Sequence, residues 1–199
     1  MRQFASGGFR IWNLSPEAKL VYTGFGLMSL LALAVSILLY EDMVGPRTGG
    51  VVGYYAGAKS TAPTVAAPTT GPKLDLPALD EDDAPPSIQI KVSYRKLLET
   101  THFHLFTVPV FLLIIAHLFM LTGLSTRTKA TWVALGWLSS LLHLAAPWLI
   151  RFASPAWHLL YPISGALMTV SLGIMTVYPI VVMWLPRPPK PGKDDAAPV

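Results

Sequence analysis

Five histidines, His102, His104, His117, His143 and His158, are the residues of this 199-residue chain whose type and placement could do chemistry. Each falls in or beside an apolar run, and none lies toward the polar ends of the chain. The apolar runs contain no Asp, Glu, Lys or Arg. Ionisable groups at membrane depth are costly, so a histidine there is a functional candidate by default. The lack of a carboxylate at that depth argues against a proton pump or an ion-coupled transporter. Neutral imidazoles from facing helices are how helical bundles hold b-type haem. Haem b or a quinone is therefore the ligand these side chains point to. There is no cysteine, which excludes disulfides, thiolate metal sites, iron–sulfur clusters and covalently attached haem. The His-x-His at 102–104 has no carboxylate or thiolate beside it, so no metal beyond a haem iron is expected.

The elements that must position these histidines are four stretches of about 20 apolar residues, the length a spanning helix needs. They are Leu20–Tyr40, Phe103–Leu124, Thr131–Ile150 and Trp157–Trp184. In lipid each must satisfy its own backbone groups, so each is read as a helix. The fold class expected is an all-α integral membrane four-helix bundle. It is divided into an N-terminal segment, residues 1–19, spans at 20–40, 100–124, 131–150 and 156–185, a polar strap at 41–99, and a tail at 186–199. The first span exceeds the 7–15 apolar residues of a cleavable signal and is read as retained. Ser15-Pro16 and Ser154-Pro155 are N-cap and N1 pairs. The strap carries an Ala/Pro/Thr-rich middle and the acidic run Asp80–Asp83, compositions expected to be disordered, as is the tail. Tyr54 and Tyr55, set among glycines, are expected to pack back on the membrane surface, and the flank Ser93–Thr101 is read as an amphipathic lead-in that continues into the second span.

Depth and helical phase sort the histidines. At 1.5 Å rise per residue, span centres near 113 and 141 put His117 roughly 6 Å and His143 roughly 3 Å from the midplane. These two are expected to face each other across the second and third spans. His102, His104 and His158 form an outer cluster. His104 and His117 differ by about 220° of helical rotation, whereas His102 and His117 differ by about 60° and share a side. A two-haem arrangement would use His102 and His117 with His143 and His158, and a single haem at either level is simpler. The alternative is structural. The outer histidines would then be headgroup-level residues like Trp157 and Tyr161, and His143 would hydrogen-bond Ser139 or Ser140. Gly165, Thr169 and Gly173, and Ala32 with Ser36, are small residues spaced to let helices approach. Pro147 and Pro162 could widen a cavity at the outer end.

Only 13% of residues are charged and 52% are hydrophobic, about half the charge of an average soluble domain. The net charge of +4 comes from 15 Lys and Arg that form no dense patch, so nucleic acid is excluded as a partner. No phosphate-binding glycine loop and no nucleophile elbow is present, and no catalytic activity of the chain's own is expected. The basic residues of the short segments favour both termini on the cytoplasmic side. Expected partners are the lipid bilayer and redox or assembly proteins of the membrane. A cofactor-free scaffold whose strap binds partners is the competing reading.

The segments Leu97–Phe106 (LLETTHFHLF) and Ala146–Arg151 (APWLIR) resemble a family of small four-helix bacterial inner-membrane proteins, some labelled as translation elongation factors. The matching positions are His102, His104, Pro147 and Arg151, and the likeness runs from about Leu14 to Trp184. The resemblance implies a four-span inner-membrane protein and no particular activity. The elongation-factor label implies a phosphate loop that this chain lacks. The arrangement of histidines also resembles b-type cytochromes.

Overall fold

A computed structural model describes residues 10–45, 50–57 and 91–186. It contains five α-helices and no strand among those residues. They are α1 (Pro16–Val44), the short α2 (Gly50–Ala56), α3 (Tyr94–Met120), α4 (Thr126–Trp148) and α5 (Leu160–Trp184). A π-helical turn, Leu149–Ala153, continues α4, and a 3-10 turn, Pro155–Leu159, leads into α5. Four helical segments are long and apolar enough to cross a membrane: Pro16–Val44, Tyr94–Met120, Thr126–Ala153 and Pro155–Trp184. The chain is an all-α, four-helix membrane protein. The central stretch of the strap, the first nine residues and the tail beyond 186 lie outside the described residues.

Serine caps set where the helices begin. Ser15 Oγ accepts from the Ala18 amide at 3.3 Å, with Pro16 at N1. Ser154 Oγ accepts from the Ala156 amide at 3.2 Å. Two further caps move the middle helices away from their expected starts. Ser93 Oγ accepts from the Lys96 amide and Ser125 Oγ from the Thr128 amide, both at 3.1 Å. Thus α3 begins at Tyr94 instead of 100, and α4 at Thr126 instead of 131. The apolar runs mark only what lipid must cover, whereas a cap continues the helix into the polar zone. The expected strap is therefore partly helical, at the end of α1, in α2 and in the first turn of α3. Gly57, at φ 85°, ends α2 in the left-handed region that glycine enters without steric cost.

The core is layered along the bundle. One layer joins Val44, Val51, Tyr55, Leu97, Ala146 and Ile150 at the end that carries α2. A middle layer joins Leu112, Ile115, Phe119, Leu172 and Met175. At the opposite end Ile11, Leu118 and Met183 close the bundle around the α3–α4 turn. There the Ile11 amide donates to the Leu121 carbonyl at 3.1 Å. Helix α5 is central, with α1, α3 and α4 all packed on it. The closest approaches occur at small residues. A Cβ on Gly26 would run into the Ile180 side chain, and one on Gly136 would lie 2.8 Å from Met175 Cε. Of the small residues expected at interfaces, Gly165 is in close contact, Gly173 has nothing near it, and Ala32 and Ser36 are exposed.

Candidate functional site

The α3–α4 turn fixes the relative height of the histidines. His143 lies 17 residues up α4 from Thr126, whereas His117 lies three residues and His104 sixteen residues back along α3 from Met120. At 1.5 Å per residue, His143 is level with His104 and about 21 Å above His117. The expected facing of His117 and His143 is therefore corrected to His104 with His143. The cause is the earlier start and end of α3, which moves its centre toward the N-terminus. His117 sits near the hairpin end, on an exposed position of α3.

His104 and His143 line one cavity of about 100 Å³ at the α2 end of the bundle. Lys96, Leu97, Thr100 and Thr101 of α3 share the wall with Leu144 and Pro147 of α4 and Tyr161 of α5, and Tyr54, Tyr55 and Val92 form the roof. His143 lies flat on α5. Its ring stacks on Tyr161 with centroids 4.3 Å apart. A Cβ at Gly165 would stand 3.0 Å from His143 Cε1, so any larger residue would push the ring by a few tenths of an ångström or more. His143 Nδ1 is 3.1 Å from the Tyr161 carbonyl and 3.3 Å from Ser164 Oγ. The expected bonds to Ser139 and Ser140 are not made: His143 Nδ1 is turned to Tyr161 and Ser164 of α5, and both hydroxyls donate to the Gly136 carbonyl, at 3.2 and 2.7 Å.

The tautomers follow from these partners. A carbonyl oxygen only accepts, so the Nδ1 of His143 carries the proton and its Nε2 bears the lone pair. His104 Nδ1 donates in the same way to the Thr100 carbonyl at 2.7 Å. Both side chains line one cavity, and in the neutral ring this tautomer leaves Nε2 as the nitrogen that accepts from a proton-donating group or binds a metal. His158 is used differently, its Nδ1 donating to the Pro155 carbonyl at 3.1 Å within its own turn. His102 packs edge-on against Phe103 and Phe106, with centroids 5.9 and 5.1 Å away. Neither His102 nor His158 lines the cavity, so the expected outer grouping of these two with His104 is not formed around it.

Backbone and tyrosines hold the roof. The Val92 amide donates to the Tyr54 carbonyl at 3.0 Å, and the Val92 carbonyl accepts from Arg151 Nη1. The chain returning to α3 is thereby tied to α2 and to the π-helical turn. Trp148 Nε1 donates to Thr101 Oγ1 at 2.9 Å, which locks α4 to α3 beside the cavity. Tyr55 and Tyr161 meet edge-on at 5.2 Å. Burial pushes the phenols of Tyr54 and Tyr55 above their ordinary value, and Tyr161 and other neighbouring phenols push Tyr55 further. Both therefore stay neutral at physiological pH. Pro147, a wall residue, has no amide hydrogen to give the His143 carbonyl one turn earlier, and the wider π-helical turn follows it.

The sequence singles out both histidines of the cavity, but not Lys96, Thr100, Thr101 or the role of Tyr161. The tyrosine pair in the glycine-rich flank is the one visible signal of the roof. Among the described residues no group of three or more His, Asp or Glu is placed to hold a metal ion.

Helices crowded on a central α5 and closed by an amphipathic return segment define a multi-pass membrane protein. Residues 45–190 match the Aq_1264_TM family, a transmembrane helical domain. The chain belongs to this family. No curated protein and no solved structure matches it.

Proposed function

We propose that this protein is a multi-pass membrane subunit that binds the hydroxylated ring of a quinol between His104 and His143. The observation that carries the reading is that His104 and His143 line one cavity, each with its Nδ1 engaged by a backbone carbonyl, which leaves Nε2 as the ring nitrogen open to a ligand. A quinol presents two O–H donors on one apolar ring, which matches two acceptors in an aromatic wall. Lys96 supplies a donor for the oxidised carbonyl form. Size favours this ligand over a haem. The cavity, about 100 Å³, is smaller than the roughly 150 Å³ that accepts a benzene ring, so a quinol ring enters it edge-first and only in part. It is well below the ~300–1,000 Å³ of larger ligand pockets. Its place at one end of the bundle suits a ligand whose tail stays in lipid.

Localisation follows the same reasoning. Four spans put both ends of the described chain on one side. With the short basic segments inside, the termini are cytoplasmic and the cavity opens toward the outer leaflet of a bacterial inner membrane. Expected partners are membrane redox or assembly proteins that exchange quinol with this subunit.

The test is purification in mild detergent, followed by organic extraction and a reduced-minus-oxidised visible spectrum. A co-extracted quinone with no Soret band is expected. A Soret band with sharp α-bands, lost in His143→Ala, would replace the quinol with haem b. Neither signal, from cells replete in both, would leave the cofactor-free scaffold.

A further inference from the structure

A second, larger concavity lies outside this site. It is a shallow groove of about 460 Å³ on the α2 end of the bundle, lined by Tyr94, Trp148, Leu149, Phe152 and Ala153. Its walls are almost wholly apolar, and three of them are aromatic. Tyr94 meets Trp148 edge-on at 6.0 Å and Phe152 edge-on at 6.2 Å, so the rings form a fixed trough.

Arg151 sits at the rim. Its guanidinium carbon is 5.3 Å from the centroid of the Phe152 ring. One of its nitrogens, Nη1, is used by the Val92 carbonyl. Its Nε is buried and has no hydrogen-bond partner among the described residues. The ion pair described at this end joins Arg95 to Glu99 at 3.0 Å, and no described carboxylate pairs with Arg151. Lys91 and Arg95 are exposed and flank the groove residue Tyr94 in sequence. Glu41 and Asp42, near the end of α1, are not among the residues lining the groove and form no described ion pair with Arg151. The Val92 carbonyl and the Phe152 ring face stabilise this guanidinium without neutralising it, so an anion within reach would bind it favourably. At the headgroup level of a spanning protein the anion at hand is a lipid phosphate.

The geometry points to a seat for one phospholipid with a net negative headgroup, an acyl chain lying along Trp148 and Phe152 and the phosphate facing Arg151. The aromatic trough supplies apolar contact for any phospholipid, and Arg151 supplies the preference for an anionic one. This site is separate from the histidine cavity and does not rest on its ligand.

The experiment is native mass spectrometry of the full-length protein released from micelles of mixed phosphatidylglycerol and phosphatidylcholine, with thermal stability followed in parallel. The wild type is expected to retain one phosphatidylglycerol in preference to phosphatidylcholine. Arg151→Gln is expected to lower that preference about fivefold, the effect of one basic residue at a membrane surface. Because Arg151 also ties Val92, a second variant leaves that tie in place. Tyr94→Ala with Phe152→Ala removes two exposed rings and is expected to lower retention of the bound lipid while the unfolding temperature without added lipid stays near that of the wild type. Equal retention of the two lipids by the wild type would overturn the proposal. So would a preference unchanged in Arg151→Gln, or lipid retention unchanged in the Tyr94→Ala, Phe152→Ala variant. A third arm adds inorganic phosphate alone. If it stabilises the protein as much as phosphatidylglycerol does, the site reads free phosphate and the lipid seat is wrong.

Discussion

His143 illustrates how much a single side chain is constrained here. The Tyr161 ring and Gly165 enclose the imidazole, and a carbonyl fixes its proton on Nδ1. Gly165→Val should therefore displace the ring, abolish quinol binding and lower stability by about 1–3 kcal/mol through overpacking, as read by thermal unfolding in detergent. Gly165→Ala, whose methyl meets the ring at 3.0 Å, should be the milder of the two. Tyr55 gives a pH test. Its phenol is held above the ordinary value of about 10, so the folded state favours the protonated form. The stability this contributes is complete below pH 10 and falls as pH rises toward the folded-state value. Unfolding temperature measured from pH 8 to 11 should drop at the alkaline end in the wild type. Tyr55→Phe should flatten that drop. Loss of stability at the same pH in both proteins would assign it to other groups.

The helices show what is readable from sequence and what is not. All four spans are evident as uncharged apolar runs, and two of their caps are visible as Ser-Pro pairs. The lead-in over Ser93–Thr101 is legible as an amphipathic stretch continuing into the second span, but the span's centre is taken from the apolar run alone, and the cap at Ser125 is not visible, because a lone serine before a polar turn has no signature distinguishing it from a loop serine. The first of these shifts the expected centre of α3 and pairs the wrong histidines. Helical phase within α3 is legible, but the register between α3 and α4 depends on where the turn at 121–125 begins, which apolar runs do not mark. The same physics predicts that Ser93→Ala costs about 1 kcal/mol, measured as a lowered unfolding temperature. Ser36→Ala, at an exposed position inside α1, should leave it unchanged. Close helix contact is only partly legible. Gly26 packs on Ile180, yet the spacing pattern points to Ala32 and Ser36. Gly26→Val should loosen α1 from α5 and destabilise by about 1–3 kcal/mol, an effect that Gly24→Val, with open space around its Cβ, should not reproduce.

At the scale of the whole molecule, four spans of alternating direction put the histidine cavity and the aromatic groove at the same end, beneath one roof. That roof depends on Arg151 and Trp148, which join the π-helical turn and α4 to the segment that re-enters α3. A chain without cysteine is well suited to testing this register. Thr101→Cys with Trp148→Cys should be bridged by a short bifunctional thiol reagent, and His117→Cys with His143→Cys should not. Composition alone makes membrane residence legible. The pairing of Thr101 with Trp148, 47 positions apart, is not legible, since it arises from tertiary packing that no local pattern encodes. The central claim is that His104 and His143 jointly hold a quinol ring. It is tested most directly by titrating the purified wild type, His104→Ala and His143→Ala with a short-tailed quinol analogue, following quenching of tryptophan fluorescence. Saturable binding in the wild type, weakened at least tenfold in each variant, is the predicted result. Equal binding by all three proteins, or none by the wild type, would contradict it.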